Sequence, residues 1–192
     1  MTTPNIIKET CEGTFCIPIR DALLMRREIY CTGEIDSDAA GALILQLRYL
    51  QSEDPGKEIT MYINSPGGEV GSGLAVYDAM QAVSCSVKTV CVGMAASMAA
   101  ILFASGDQRE ILPHSRLMIH DPMITDGISG SALRIDSVAK DLMRTRDTVG
   151  MILARHTGHT LEEVLEKTAA DCYFSAEQAV AWGLADRIIG RF

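Results

Sequence analysis

The chain has 192 residues, 47% of them hydrophobic and 22% charged, a composition that suits one domain with a sizeable core and excludes a chain too polar to fold. A formal net charge of −8 and the lack of any Lys/Arg run speak against nucleic acid or an anionic membrane as partner, since both favour basic surfaces. Six cysteines, at 11, 16, 31, 85, 91 and 172, form no C-x-x-C pair, so no metal or redox cofactor is expected and the thiols read as reduced residues of a cytoplasmic protein.

In chain order, residues 1–14 read as a flexible polar leader, and residues 1–9 lack the basic start and apolar stretch of a secretory signal. A first strand is expected over 28–32, closed by Gly33, with Asp36-Ser37-Asp38 capping a helix that runs to about Glu53. Leu43, Leu47 and Leu50 share one face of that helix, and Asp54-Pro55-Gly56 ends it. The alternating run Ile59-Thr60-Met61-Tyr62-Ile63 is a strand followed by the turn Asn64-Ser65-Pro66-Gly67-Gly68 and a helix over about 73–83. Next come a strand over 87–92, the small-residue segment Gly93-Met94-Ala95-Ala96-Ser97-Met98, an apolar run over 99–104, a polar segment over 107–110 and a strand over 116–119. The 18 uncharged residues 89–106 approach the length of a membrane span. Their β-branched start, small middle and apolar end fit a buried strand, turn and helix better. Residues 131 to about 157 lack proline and carry a broad apolar stripe; about 26 helical residues would reach roughly 39 Å, long for a small domain, so part of this helix is expected to project against another copy. Gly158 supplies a stop, and short helices near 161–168 and 175–182 finish the chain. Strand-helix alternation without a linker or repeat implies a single α/β domain over 1–192.

The chemistry points to acyl transfer. Two glycines directly after a strand let backbone N–H groups approach a developing oxyanion, and Ser97 stands where a strand gives way to a helix, the usual presentation of a serine nucleophile. The chain has 13 serines, four histidines and 13 aspartates, which spacing alone does not sort into a triad, because triads assemble from distant segments. A buried serine bonded locally to backbone remains the plain alternative for Ser97. His120, at the end of the strand over 116–119 and before Asp121-Pro122, is a candidate base, with His114 as its rival. His156 and His159 straddle Gly158 at a helix end; they have metal-pair spacing but no evident third ligand.

Four segments in order, Ile63 to Gly68, Gly93 to Met98, Arg116-Leu117-Met118-Ile119-His120 and the stretch Ser175 to Asp186, resemble the proteolytic subunit family of Clp proteases, and the likeness covers nearly the whole chain. The resemblance implies a crotonase-like ββα spiral with a projecting long handle helix over about 131–157. It further implies a serine endopeptidase with Ser97 as nucleophile, His120 as general base and Asp171, which sequence context does not single out, as the acid. Gly68 and Met98 would supply the oxyanion amides. Extended peptides would lie between the segment after Gly68, including Val70, and the loop containing Thr125. The family encloses its sites in heptameric rings, paired into a tetradecamer and fed by an AAA+ Clp unfoldase; this sequence has no G-x-x-x-x-G-K-[ST] loop of its own. Positions that differ from the usual family pattern include Ser131, Ala170, Cys172, Ala82, Met94 and Ala99. Two other readings stay open: a weakly active or silent ring subunit that works with a second subunit type, and a crotonase-type acyl-CoA hydratase or isomerase.

Overall fold

Three long strands, β3 (Glu28–Ile35), β4 (Ile59–Gly68) and β5 (Val87–Ala96), lie side by side and parallel. The structure, a computed structural model, describes residues 4–11, 13–124 and 127–191. Each long strand extends past the end expected from sequence. Gly33, at φ +78°, sits at a register shift between Thr32 and Glu34, and β4 shifts between Ile63 and Ser65. The glycine-rich stretches that read as stops are therefore irregularities inside strands, which bend a strand and re-aim its remaining residues.

The bend has a consequence in β5. Its first half, Lys88 to Cys91, pairs with β6 (Gln108–Ile111), whereas its second half, Met94 to Ala96, pairs with β7 (Arg116–Ile119). One edge of one strand thus carries two successive neighbours. β7 in turn pairs antiparallel with β8 (Cys172–Phe174), and β6 pairs parallel with β9 (Arg187–Ile188). The segment read from sequence as merely polar is strand β6, and its charge has a partner: buried Glu110 accepts from Arg187 on β9. Strands of three and two residues are too short to show a period, so β8 and β9 carried no sequence signal.

Helices α2 (Ser37–Glu53), α3 (Val70–Ala82) and α4 (Met98–Ala104) follow β3, β4 and β5 in turn. Asp36 caps α2 by accepting from Ala39 N at 2.8 Å, and Ala40, Leu43, Leu47 and Leu50 form its buried face, as the spacing predicts. Every residue of α4 is buried. The uncharged stretch over 89–106 is therefore most of β5 plus a seven-residue helix. No helix of the described residues is long and apolar enough to cross a membrane. Fully buried Phe103, Leu102, Ile29, Leu47, Ile59, Met61 and Ile63 fill the layer between sheet and helices, each contributing about 1.5–3 kcal/mol.

Helix α5 (Ala132–Thr157) has the expected extent and ends on Gly158 at φ +80°. Its buried residues, Val149, Gly150, Ile152 and Leu153, all lie in its C-terminal half, while Leu133, Ile135 and Met143 are exposed. Two short helices, α6 (Leu161–Thr168) and α7 (Ala176–Ala181), each open with a capping box. At the other end of the chain, β1 (Asn5–Thr10) and β2 (Gly13–Pro18) form an antiparallel hairpin ahead of α1 (Ile19–Leu24). This is structure where the sequence reads only as a leader; its strands are mostly exposed, with Ile7 and Phe15 among the exposed apolar side chains, so they present no buried face against the core.

Candidate active site

Ser97 joins β5 to α4 with φ +54° and ψ −126°. A non-glycine residue in that region carries roughly 1–3 kcal/mol of backbone strain. Its surroundings impose the conformation. The Ser97 N–H donates to Met118 O on β7 at 2.8 Å, and its carbonyl accepts from Ala100 N and Ile101 N in the first turn of α4. The side chain makes no capping bond to the helix and is left for another partner.

That partner is His120. Its Nε2 lies 2.8 Å from Ser97 Oγ, the hydroxyl donating when Nε2 carries no proton. The imidazole is mostly buried, with 14% of its side chain exposed, and its Nδ1 lies 3.3 Å from Asp171 Oδ1. The carboxylate is off the hydrogen-bonding line, so buried Nδ1 has no hydrogen-bond partner among the described residues. Strand register explains how Asp171 arrives there. The β7–β8 ladder pairs Leu117 with Phe174, Met118 with Tyr173 and Ile119 with Cys172, and the next step along both strands sets His120 opposite Asp171. Neighbouring Asp121 does not compete for the imidazole, because its carboxylate accepts from Arg146 and from Thr168 Oγ1.

Gly67 and Gly68 end β4 at φ +96° and +155°. A Cβ on Gly67 would sit 2.6 Å from Ala96 O, 2.7 Å from Ser97 Cβ and 3.0 Å from Met98 N, so only glycine admits the serine elbow here. The Gly67 N–H is held by Ser65 Oγ at 3.1 Å. Met98 N–H is the first of α4 and has no acceptor within its helix. The Met98 side chain is buried against α3 beside Gly73, where a Cβ would lie 3.2 Å from Met98 Cβ and Cγ and would require the Met98 methyl to shift. Val70, half-buried, opens α3 immediately after Gly68-Glu69. Thr125 lies outside the described residues.

The other candidates separate from this cluster. His114 is exposed in the turn between β6 and β7. His156 meets the Tyr77 ring edge-on, with Nε2 3.4 Å from the Tyr77 hydroxyl, and His159 stacks on Trp182. Among the described residues no group of three or more His, Cys, Asp or Glu side chains could hold a metal ion. All six thiols are unbonded to one another. Burial pushes Cys31 up to about 11 and Cys91 up to about 12, which leaves both protonated at neutral pH and poor as nucleophiles.

Sequence reasoning missed two supporting residues. Buried Ser115 donates to Cys91 O at 3.1 Å and accepts from Gly93 N at 2.8 Å, which closes the gap where β5 changes neighbour just before the serine. Gly73 lets α3 approach the residue after the serine. Only a lone small residue in a helix and a lone serine ahead of a strand could have pointed to them.

A serine hydroxyl on an imidazole, a carboxylate beside the far ring nitrogen, and backbone amides with no side chain in the way are the parts of a serine hydrolase. The family model described as Clp protease matches residues 12–192.

Proposed function

The chain belongs to the Clp protease family, and from that premise we propose that it is a serine endopeptidase with Ser97 as nucleophile, His120 as general base and Asp171 as the acid that orients the imidazole. The 2.8 Å contact between Ser97 Oγ and His120 Nε2 carries the reading. His120 takes the Ser97 proton as Oγ attacks the scissile carbonyl, then returns it to the leaving amine; water repeats the sequence to release the acyl group. Asp171, with its carboxylate 3.3 Å from Nδ1, acts through its charge, which favours the tautomer with hydrogen on Nδ1 and stabilises the imidazolium. The amides of Gly68 and Met98 receive the oxyanion, a task in which one donor is worth about 2.7–4 kcal/mol.

Substrate, in this reading, is an extended peptide that pairs by main chain beside Val70 and the loop containing Thr125, so it is chosen by accessibility more than by sequence. Access is then controlled by assembly. The fold is read as the crotonase-like ββα spiral of the family, with α5 as a handle that meshes between two seven-membered rings in the cytoplasm; its exposed Leu133, Ile135 and Met143 support that role. An ATP-driven Clp unfoldase supplies unfolded chains, and no cofactor is needed. A groove of about 420 Å³ lined by Glu28, Tyr30, Thr32, Tyr62 and Ile63, with Tyr30 and Tyr62 stacked at 5.0 Å, supports docking of such a partner.

The test combines native mass with labelling by a fluorophosphonate and turnover of a peptide ester. Wild type is expected to assemble, label at Ser97 and turn over the ester, and Ser97→Ala to assemble and do neither. Assembled wild type that stays unlabelled would replace this reading with that of a silent subunit working with a second subunit type. Turnover of an acyl-CoA that survives Ser97→Ala would replace it with hydratase chemistry.

A further inference from the structure

We propose that Asp121 is a positioning residue that fixes the span between His120 and Asp171 and ties that span to helix α5; the inference rests on the triad reading above. The problem it solves is visible in the geometry. Asp171 has 55% of its side chain exposed and accepts no hydrogen bond from His120 Nδ1, so its own contacts do little to hold it.

The backbone holds it instead. On one side of the pair, the β7–β8 ladder closes at Ile119 and Cys172. On the other side the chain closes again between Asp121 and Thr168: Asp121 N donates to Thr168 O at 2.7 Å, and Thr168 Oγ1 donates to Asp121 Oδ1 at 2.6 Å. His120 and Asp171 are thus clamped between two closures, with only exposed Ala169 and Ala170 between Thr168 and Asp171. A reciprocal two-bond clasp with one partner buried, as Thr168 is, defines a separation far better than a single surface contact.

The second carboxylate oxygen of Asp121 reaches α5. Arg146 Nε donates to Oδ2 at 2.5 Å, and Arg146 Nη2 donates to Leu165 O at 3.1 Å. One guanidinium therefore joins the long helix to the residue after the base and to the last turn of α6, which leads to Asp171. A shift of Arg146 along or about α5 moves both ends of the clasp.

The experiment uses the full-length assembled protein and reads fluorophosphonate labelling rate together with peptide-ester kcat and KM. Asp121→Ala is expected to keep native mass, to lower kcat and labelling by about tenfold to hundredfold, the scale of loss for sub-ångström to ångström misplacement, and to leave KM within about twofold. Because Asp121 acts through the His120–Asp171 span, the same substitution in an Asp171→Asn background should add little further loss. Thr168→Val, which removes one bond of the clasp and keeps the shape, should show the same pattern at smaller size and serves if Asp121→Ala does not assemble. Losses that multiply fully across the Asp171→Asn background, or wild-type rates in Asp121→Ala or Thr168→Val, would overturn the inference. Failure of wild type itself to label at Ser97 would instead strike the triad reading.

Discussion

Strain at Ser97 and permissiveness at Gly67 are two halves of one constraint. The serine backbone is held at positive φ by a β7 carbonyl and the first turn of α4, and the approach of β4 to it is possible only because Gly67 has no side chain. Gly67→Ala therefore has nowhere to put its methyl except against Ser97 Cβ and Ala96 O. We expect it to lower kcat by about hundredfold through displacement of the nucleophile and to lower unfolding free energy by about 1–3 kcal/mol, read by ester turnover and urea titration of one preparation. Asp171→Asn has a gentler expected outcome. With half of the carboxylate in water, its loss should cost less than the roughly 10⁴-fold seen where such an acid is buried, measured as kcat at fixed pH. The sequence announces these residues unequally. Ser97 stands out because an elbow needs small neighbours in a row, and His120 because it ends a strand. Asp171 has no local signature: it reaches the imidazole through the register of a three-residue strand, and only likeness to a family named it.

At the scale of elements, the fork in β5 positions the serine. The strand leaves β6 after Cys91 and joins β7 at Met94, and Ser115 spans the two unpaired residues with a donor on one side and an acceptor on the other. Ser115→Ala removes both bonds from a buried site, leaving the Gly93 N–H without this acceptor. The expected destabilisation is about 1–3 kcal/mol, seen as a lower urea midpoint with unchanged slope. Long periodic elements such as α2 and α5 were legible because a buried face repeats over many turns. The fork was not, because nothing in a run such as Val87 to Ala96 records which strand lies alongside it, and the glycine that permits the change reads locally as an end. The membrane-like length of the stretch over 89–106 had a similar cause, since a buried strand followed by a buried helix is apolar throughout.

Across the whole molecule, the buried residues of α5 all lie in its C-terminal half, where Arg146 also joins it to Asp121, and His156 sits at the end of that anchored half. Its carbonyl accepts from Arg109 Nη1 on β6, while its ring lies against Tyr77 of α3. Burial, helped by the neighbouring Arg155 and Arg109 charges and opposed by Asp107, holds the imidazole below its ordinary range. A histidine whose folded pKa is depressed favours folding only while it is neutral. Its contribution is therefore complete above the unfolded value of about 6.5 and is lost as pH falls through the lower folded value. His156→Gln keeps a polar side chain and cannot charge, so stability of wild type relative to the variant should be greatest near pH 8, should decline below about pH 6.5 and should level off once the folded ring has protonated. Urea midpoints of both proteins across that pH range, at one protomer concentration so that assembly contributes equally, measure this directly. A constant difference at every pH would show that the anchor holds α5 by packing alone, and a difference that grows toward acid would show that the ring is stabilised as the cation.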